Sequence, residues 1–286
     1  MKNILILGSD SFIAKALSFN LSNDRNRMIY LVTLNHNQLD IKDLHELSIF
    51  INKSSIWDVV INFANKGGRR TKIDSSQNFY DNLLGIENLI YLKSHYSRLI
   101  LFTSGAEFDR RTNIFNNRIN EYNSVPIDYY GLSKYIITKR VADEPKVTNL
   151  RLFNVFSTNG MKDSFIYTAI ESYINKKPII IFEDKFFDFF YIRDLLKVID
   201  YFINDNIISA EEINCVYEKK LKLSDIADII NRLDNYKVPV IINQQLGKSY
   251  TGNGTKLTKL NLEFEGIENG IQKCFNYVKT NIYNGE

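Results

Sequence analysis

Short runs of β-branched and other apolar residues alternate with longer segments of helical period through the first half of the chain. Such runs are typical of buried parallel strands, and the segments between them are typical of the helices that cover a sheet. We predict strands over 2–7, 28–34, 59–64, 99–103 and 149–153, and helices from Phe12 and over 41–53, 77–94 and 130–141. Because crossovers between parallel strands are right-handed, this order predicts an α/β fold with a doubly wound parallel sheet.

Beyond Ser157 the alternation becomes less regular. Helices are predicted over 165–176 and 193–203, after Ser224 and over 267–278, with a strand over 178–182. We therefore expect a smaller, discontinuous C-terminal lobe. The expected division is 1–157 for the sheet domain, rejoined by about 187–217, and 158–186 with 218–286 for the second lobe.

Composition narrows the class of protein. Apolar residues make up 44% and charged residues 24% of the 286 residues, as in a soluble globular protein, and a net charge of +3 gives no reason to expect a nucleic-acid partner. The apolar runs are too short to span a membrane, and no signal-peptide core follows Met1, so we expect a cytoplasmic protein without a membrane partner. Cys215 and Cys274 form no metal-binding pattern and are predicted to be reduced, and no metal site is expected.

The turn after the first predicted strand is a candidate nucleotide site. A helix that starts there offers free backbone N–H groups and the positive end of its dipole to a pyrophosphate. Where a three-glycine pattern would stand, the chain has Gly8, Ser11 and Ala14. Ser11 lacks the conformational freedom of glycine, so this turn by itself is weak evidence.

A Tyr-x-x-x-Lys pair places a phenol and an ammonium group on one helical face, where the cation lowers the phenol pKa and favours proton transfer. The chain has three such pairs: Tyr130/Lys134, Tyr135/Lys139 and Tyr173/Lys177. Spacing cannot choose among them, but order along the chain can. Tyr130 follows Ser104, which ends a predicted strand, and a helix and another strand follow Lys134.

In this order the chain resembles the extended short-chain dehydrogenase/reductase family, the NAD(P)-dependent nucleotide-sugar epimerases, dehydratases and reductases. The resemblance runs through nearly the whole chain in the segments 8–14, 39–41, 59–64, 82–88, 102–106, 130–134, 151–156 and 188–194. It implies a Rossmann-like sheet domain that binds NAD(P) and a C-terminal lobe that binds a nucleoside-diphosphate sugar.

The resemblance also assigns residue roles. It implies the catalytic residues Ser104, Tyr130 and Lys134. It implies that the cofactor contacts Tyr130, Lys134 and the residues Gly8, Ser11, Phe12, Ile13, Asn35, Asp40, Ile41, Phe63, Ala64 and Asn65. Substrate contacts are implied for Ser104, Gly105, Ala106 and Asn154. Simpler interpretations stay open: Ser104 can cap a loop, Asn154 can be a turn residue, and Glu107 is better explained by a local ion-pair group with Arg110 and Arg111 than by a sugar-phosphate contact.

Departures from the family pattern narrow the expected reaction. Phe187 stands where relatives commonly carry an Arg that pairs with the substrate diphosphate. Gly105 and Ala106 stand where the dehydratases carry an Asp-Glu acid/base pair. The Cys and His proton shuttles of the double epimerases are also missing, because Ala106 takes the place of the Cys and no histidine lies beyond His95.

The sequence therefore predicts an NAD(P)H-dependent reductase of the C4 keto group of an NDP-4-keto-6-deoxy sugar, in the biosynthesis of surface-polysaccharide sugars. The alternatives are an NAD-dependent C4 epimerase and a catalytically silent dinucleotide-binding regulator. The second strand ends in Leu34-Asn35-His36-Asn37, without an acidic residue to repel a 2′-phosphate, so NADPH is slightly favoured over NADH. The family resemblance also implies a homodimer through the helices over 77–94 and 130–141.

Overall fold

The computed structural model describes residues 1–24, 28–52, 56–68, 72–158, 162–205, 209–244 and 247–284. The strands in these ranges are β1 Lys2–Leu7, β2 Ile29–Leu34, β3 Trp57–Asn62, β4 Tyr96–Ser104, β5 Ile114–Asn117, β6 Val147–Leu152, β7 Val155–Phe156, β8 Ile179–Glu183, β9 Phe190–Tyr191, β10 Glu211–Cys215, β11 Val240–Gln244 and β12 Tyr250–Gly252. The helices are α1 Phe12–Asn23, α2 Leu44–Asn52, α3 Ser76–Tyr91, α4 Tyr129–Val141, α5 Phe165–Ile174, α6 Ile192–Asn204, α7 Leu223–Ile230, α8 Thr255–Thr258 and α9 Gly266–Asn284. Short 3₁₀ helices, Lys93–His95 and Gly105–Phe108, precede and follow β4.

Within the described ranges, the largest sheet is parallel and has six strands in the order β10-β6-β4-β3-β1-β2. Leu5 of β1 pairs with Val32 on one side and Val60 on the other. Consecutive residues of β1 and β3 are buried, which requires cover on both faces of the sheet and explains their unbroken apolar runs. The predicted α/β class with a Rossmann-like doubly wound sheet is confirmed.

The chain reverses its direction of winding at β1. From β1 it moves outward to the edge strand β2, and then returns to β3 on the opposite side of β1. In doubly wound sheets a crevice opens at such a reversal, outside the carboxyl ends of the strands. The segments after β1 and β3 therefore border the expected ligand crevice.

Side-chain caps fix where the helices at this edge begin. The Ser11 hydroxyl accepts a hydrogen bond from the Ala14 N–H at 3.1 Å, and Ser75 caps α3 in the same way. Asp128 accepts from the Gly131 N–H at 2.8 Å, so α4 starts immediately before Tyr130. Phe12 is exposed at the first position of α1.

The chain forms two units, each made of three stretches. The first comprises Met1–Arg110, Glu121–Leu152 and Ile199–Ile213, and the second comprises Arg111–Asn120, Phe153–Val198 and Asn214–Glu286. The predicted boundary at 157 lies at 152 instead, and the chain returns to the first unit over 199–213 rather than over about 187–217. The assignment of 111–120 to the second unit is not predicted. The physical reason is strand pairing within the second unit, since β5 pairs with β12 and β9 pairs with β7. The binding roles predicted for the two parts stay predictions.

The second unit is built from small strand pairs and an aromatic cluster. Among its described residues, the strand pairs are β8 with β11, β5 with β12 and β7 with β9, and the sequence predicts only strand β8. The other strands have two to five residues and show no clean alternation. Phe187 lies in the aromatic cluster, with ring centroids 5.0 Å from Phe189 and 5.3 Å from Tyr250.

Helices α3 and α4 pack against each other in the first unit. The outer face of α3 leaves Tyr80, Leu84 and Tyr91 exposed. The homodimer predicted through these helices stays a prediction. No helix in the described residues combines the length and the apolar character that crossing a membrane requires.

A buried group of ion pairs links Glu107, which follows β4, to strands β6 and β10. Glu107 and Arg151 are both fully buried, and their charged groups lie 2.5 Å apart. Arg151 also pairs with Glu212 of β10. Hydroxyl groups of Tyr122 and Thr138 each donate to the Glu107 carboxylate at 2.8 Å. This network satisfies charges that would otherwise be costly inside the protein.

We expect Arg151→Met to destabilise the protein strongly, because it leaves the buried Glu107 without its cation. Loss of one partner of a buried pair costs about 3–5 kcal/mol. Urea denaturation followed by circular dichroism measures the free energy of unfolding. Arg140→Met is the matched control, since Arg140 pairs with Glu87 and Glu144 at the surface and should cost less than about 1 kcal/mol. Equal losses in the two variants would contradict the importance of burial.

Candidate active site

Parallel strands bring the predicted site residues of the first unit to one edge of the sheet. Gly8 follows β1, Phe63 follows β3, and Ser104 ends β4. Because these three strands are adjacent and parallel, their carboxyl ends lie side by side. Chain segments that are distant in sequence therefore meet at this edge.

Gly8 has a backbone conformation and surroundings that only glycine tolerates. Its φ angle is +74°, and a Cβ atom there would lie 2.4 Å from the backbone nitrogen of Ala64. The backbone of β1 thus approaches the segment after β3 closely. The first turn of α1 follows Gly8 in the chain, and the N-terminus of a helix favours the binding of a pyrophosphate, because its first N–H groups have no intrahelical acceptor. These features fit a dinucleotide.

The remaining predicted cofactor residues of α1 have different surroundings. Ser11 is partly buried and its hydroxyl is engaged as the helix cap, whereas Ile13 belongs to the core. Phe12 is exposed beside the turn. Of this group, Ser11 and Phe12 are accessible from solvent.

The segment after β2 forms a turn held by its own side chains. The Asn35 side-chain oxygen accepts from the N–H groups of Asn37 and Gln38 at 3.1 and 3.2 Å. Farther on, the Asp40 carboxylate accepts from the Lys42 N–H at 3.0 Å. Ile41 is buried, and the Asn88 side chain of α3 donates to its carbonyl at 3.0 Å. The segment that carries the predicted cofactor contacts Asp40 and Ile41 is therefore fixed by α3.

The segment after β3 runs from Phe63 to Gly68 along the same edge. The ring of Phe63 stacks on Phe102 of β4 with centroids 4.4 Å apart, and Asn65 is exposed. The Asn82 side chain of α3 holds this segment by bonding both the N–H and the carbonyl of Lys66, at 2.8 and 2.9 Å. Phe63, Ala64 and Asn65 thus follow one fixed path.

Ser104, Tyr130 and Lys134 are brought together. The Ser104 hydroxyl is hydrogen-bonded to the Tyr130 phenol and also accepts from the Ala106 N–H at 3.2 Å. The Lys134 ammonium lies 5.6 Å from the centre of the Tyr130 ring and donates to the Phe102 carbonyl at 3.0 Å. One helical turn and one strand end therefore assemble a hydroxyl, a phenol and a cation.

Burial changes the acidity of both ionisable groups. It raises the pKa of Tyr130 above its ordinary value, and this effect outweighs the hydrogen bond from Ser104 and the positive charge of Arg110, which lower it. The pKa of Tyr130 is therefore shifted in the direction opposite to the lowering that the sequence predicts from Lys134. The pKa of Lys134 itself falls to about 8, again because of burial, with the charge of Glu107 acting in the opposite direction. The phenol is thus protonated at neutral pH.

The first carboxylates after Ser104 along the chain are engaged elsewhere. Glu107 pairs with Arg151, which corrects the predicted local group with Arg110 and Arg111, since the Glu107 side chain points into the core. Arg110 instead pairs with Asp128 at 2.8 Å. Asp109 is buried and accepts from Ser124 at 2.5 Å. Gly105 and Ala106, between Ser104 and these residues, are buried and carry no acid.

Asn154 is the one predicted site residue in the second unit. Its backbone carbonyl accepts from the Phe190 N–H at 2.8 Å, which joins the segment after β6 to β9. Phe187, in the same unit, is almost fully buried among aromatic rings. The position that carries a diphosphate-binding Arg in relatives is therefore part of an apolar cluster.

Comparison with known proteins identifies the family. The sequence model of the NAD-dependent epimerase/dehydratase family matches residues 4–215. The chain belongs to this family. Its membership confirms the predicted resemblance to the extended short-chain dehydrogenases/reductases. A comparison with curated protein sequences gave no match.

Solved structures share the fold over nearly the whole chain. A GDP-mannoheptose C4 reductase from Campylobacter jejuni with NADP bound aligns over 97% of this chain and 98% of its own, with a TM-score of 0.80 and 14% identity. A UDP-glucose 4-epimerase from Thermotoga maritima aligns over 98% of this chain and 99% of its own, with a TM-score of 0.76 and 16% identity. A dTDP-glucose 4,6-dehydratase from Bacillus anthracis in complex with NAD aligns over 99% of this chain and 98% of its own, with a TM-score of 0.76 and 15% identity. These neighbours carry out three different reactions, so the fold does not select one.

Sequence reasoning missed several residues around the phenol. Gly68 lies against the Tyr130 ring. The Asn82 side chain donates to the Ser133 hydroxyl at 3.4 Å, and that hydroxyl donates to the Tyr130 carbonyl at 2.8 Å. The Gly67-Gly68 pair after a buried strand was the available signal, because paired glycines mark a tight backbone approach. The partner of that approach cannot be seen in the sequence.

We expect Lys134→Met in this family member to raise stability at neutral pH while it lowers activity. The folded chain holds Lys134 with a pKa of about 8, below its ordinary value of 10.5, so the unfolded chain binds more protons between these two values. The stability of the unaltered protein should therefore rise with pH across this window, and the advantage of Lys134→Met should shrink. Urea denaturation at several pH values measures the free energy of unfolding of both proteins. Lys139→Met, at an exposed position of α4, keeps Lys134, so its stability should rise with pH as that of the unaltered protein does, and the difference between the two should stay constant.

Proposed function

We propose that the chain is an NAD(P)H-dependent reductase that acts on the C4 keto group of an NDP-4-keto-6-deoxy sugar. The observation that carries the proposal is the meeting of Ser104, Tyr130 and Lys134 beside a segment whose carboxylates are engaged elsewhere. That set handles a proton on oxygen and contains no free acid for the removal of a hydroxyl group. Net reduction of a keto group needs only the transfer of a proton to oxygen, and no acid to remove a hydroxyl group.

Tyr130 acts as the proton donor in this proposal. Its raised pKa keeps the phenol protonated at neutral pH, so it can give a proton to the substrate oxygen as negative charge develops there. The Ser104 hydroxyl donates to the same oxygen and holds the carbonyl in place. When bound, the reduced nicotinamide supplies the hydride that C4 accepts. The proton that Tyr130 loses is replaced from solvent, which balances the step.

Lys134 supplies positive charge at the site. With a pKa of about 8 it is protonated at neutral pH, and we propose that it binds the ribose hydroxyls of the cofactor. Its charge also stabilises the Tyr130 phenolate once the proton has left. Activity should accordingly fall as the pH rises through about 8, where the ammonium loses its proton.

Other reactions of the family lack residues here. Dehydration needs an acid near Ser104, but Glu107 and Asp109 are buried with partners of their own. Double epimerisation needs a shuttle such as histidine, yet His95 precedes β4 whereas Ser104 ends it, on the order of 27 Å away along an extended strand. His36 and His45 are exposed. These features favour simple hydride exchange at one carbon.

The second unit is the proposed sugar-nucleotide lobe, with Asn154 as a substrate contact. The enzyme names of the structural neighbours, which act on GDP-, UDP- and dTDP-linked sugars, support this substrate class. Because Phe187 is packed among rings, a diphosphate must be bound through groups other than residue 187.

We expect Tyr130→Phe to lower kcat by about 10²–10⁴ while it leaves cofactor affinity nearly unchanged, because Phe fills the same space without the proton. Steady-state kinetics and a cofactor titration by fluorescence measure the two quantities. Tyr135→Phe is the matched control on the same helix, where the Tyr135 ring packs edge-on against Tyr122. Similar kcat values for the two variants would show that the wrong Tyr-Lys pair has been chosen.

The reaction in D₂O with unlabelled reduced cofactor is the direct test of the proposed function. A panel of NDP-4-keto-6-deoxy sugars is needed, since the base and sugar are not specified. We expect protium at C4, no enzymatic deuterium at C3 or C5, and one NAD(P)H consumed per product, measured by NMR and absorbance. Deuterium at C3 or C5 above the background without enzyme would indicate a proton-shuttling epimerase. Interconversion at C4 without net cofactor consumption would indicate the C4 epimerase.

For the cofactor we propose that NADPH is accepted, and is preferred over NADH. The turn over Asn35, His36 and Asn37 carries no carboxylate to repel a 2′-phosphate. A comparison of kcat/KM for the two cofactors measures the preference. A hundredfold advantage of NADH would refute it.

A further inference from the structure

The segment after β3 ends in two glycines that adopt conformations disfavoured for other residues. Gly67 has a φ angle of +92° and Gly68 one of +81°. Two consecutive positive φ angles fold the backbone into a tight turn at the carboxyl edge of the sheet. The Asn82 side chain binds the backbone of Lys66, the residue just before this turn, and so fixes where the turn begins.

This turn lies against the reactive end of the phenol. A Cβ atom at Gly68 would lie 2.7 Å from Cζ of Tyr130, the carbon that bears the hydroxyl, and 2.9 and 3.0 Å from the two neighbouring ring carbons. The backbone of Gly68 is therefore one wall of the space that the ring occupies. Any movement of the turn toward the ring would displace the hydroxyl.

Asp74 holds the turn in this position. Both oxygens of its carboxylate accept from the Gly68 N–H, at 3.0 and 3.2 Å. A Cβ atom at Gly67 would lie 2.2 Å from the carboxylate oxygen Oδ1, so the acid packs directly beneath the two glycines. Asp74 is partly buried just before α3, which anchors it to a rigid element.

We propose that Asp74 is a positioning residue for the reaction: it holds Gly68 against the ring of Tyr130 and places a negative charge on that side of the phenol. This inference rests on the proposed role of Tyr130 as proton donor. Asp74 acts on the position of the ring through the backbone of Gly68, and on the phenol through the electrostatic effect of its charge.

The charge of Asp74 is one of several that act on the phenol. Asp74 and Asp128 raise the pKa of Tyr130, whereas Arg110 lowers it, and the Ser104 hydroxyl lowers it by a hydrogen bond. The Lys134 ammonium lies over the ring. Arg110 and Asp128 pair with each other, so their charges partly cancel at the phenol. Removal of the Asp74 charge should therefore favour the phenolate.

Two substitutions separate position from charge. Asp74→Asn keeps a side-chain oxygen that can accept from the Gly68 N–H, but removes the charge. Asp74→Ala removes both. Asp143→Asn is the matched control, because Asp143 is an exposed acid beyond the end of α4. Gly68→Ala tests the wall itself.

The first measurement does not depend on activity. Tyrosinate absorbance after a stopped-flow pH jump, for each variant minus the same variant with Tyr130→Phe, reports ionisation of Tyr130 before unfolding. We expect a lower ionisation midpoint in Asp74→Asn than in the unaltered chain and no change in Asp143→Asn. An unchanged midpoint in Asp74→Asn would overturn the charge effect.

The second measurement is kcat and KM for reduction. We expect Asp74→Ala and Gly68→Ala to lower kcat about tenfold to a hundredfold with a smaller change in KM, because a small displacement of the proton donor is costly, and Asp74→Asn to lose less. Equal losses in Asp74→Asn and Asp74→Ala, or no loss in Asp74→Ala, would overturn the positioning role. If Tyr130→Phe were fully active while the ionisation midpoint still shifted, the proposed function would fail and the influence of Asp74 on the phenol would stand.

Discussion

The close approach of two backbones at the carboxyl edge of the sheet governs the arrangement of this site. Gly8 and Ala64 follow adjacent parallel strands, and no side chain fits at Gly8 between them. This contact fixes where the segment after β3 begins. Because Asn82 then fixes Lys66, the same segment reaches Gly68 in contact with the Tyr130 ring. A constraint at the turn after β1 is thus transmitted along one short segment to Tyr130.

The site also contains a positive charge that the protein stabilises poorly. Lys134 is buried, its described hydrogen bond goes to a neutral carbonyl, and Glu107 acts on it only from within another ion pair. Burial therefore lowers its pKa to about 8 rather than raising it. An ammonium group in this condition gains most from new oxygen ligands. Burial of this ammonium group therefore costs stability at pH values where it stays protonated.

The sequence reveals those parts of the structure that depend on local patterns. The bounds of β1 agree with the prediction, since its apolar run is bordered by a turn. Tyr130 was distinguished from Tyr135 by order along the chain, and the two lie in different surroundings. Strand β5 could not be predicted, because only two of its four residues are apolar and it contains Asn116 at a φ angle of +54°. The partner of Glu107 was also missed, since Arg151 lies on another strand and only the tertiary fold brings the two together.

The return of the chain to its first unit affects how the sheet is completed. The edge strand β10 pairs with β6, but the whole of 153–198 lies between them in the chain. During synthesis, β6 therefore emerges with one edge unpaired, and Arg151 has only one of its two carboxylate partners. Non-local pairing of this kind slows folding, and an unpaired strand edge can pair with other chains before it is covered. The ion pair to Glu212 then forms as β10 docks, and it gives the last strand a specific electrostatic partner at the edge that it must find.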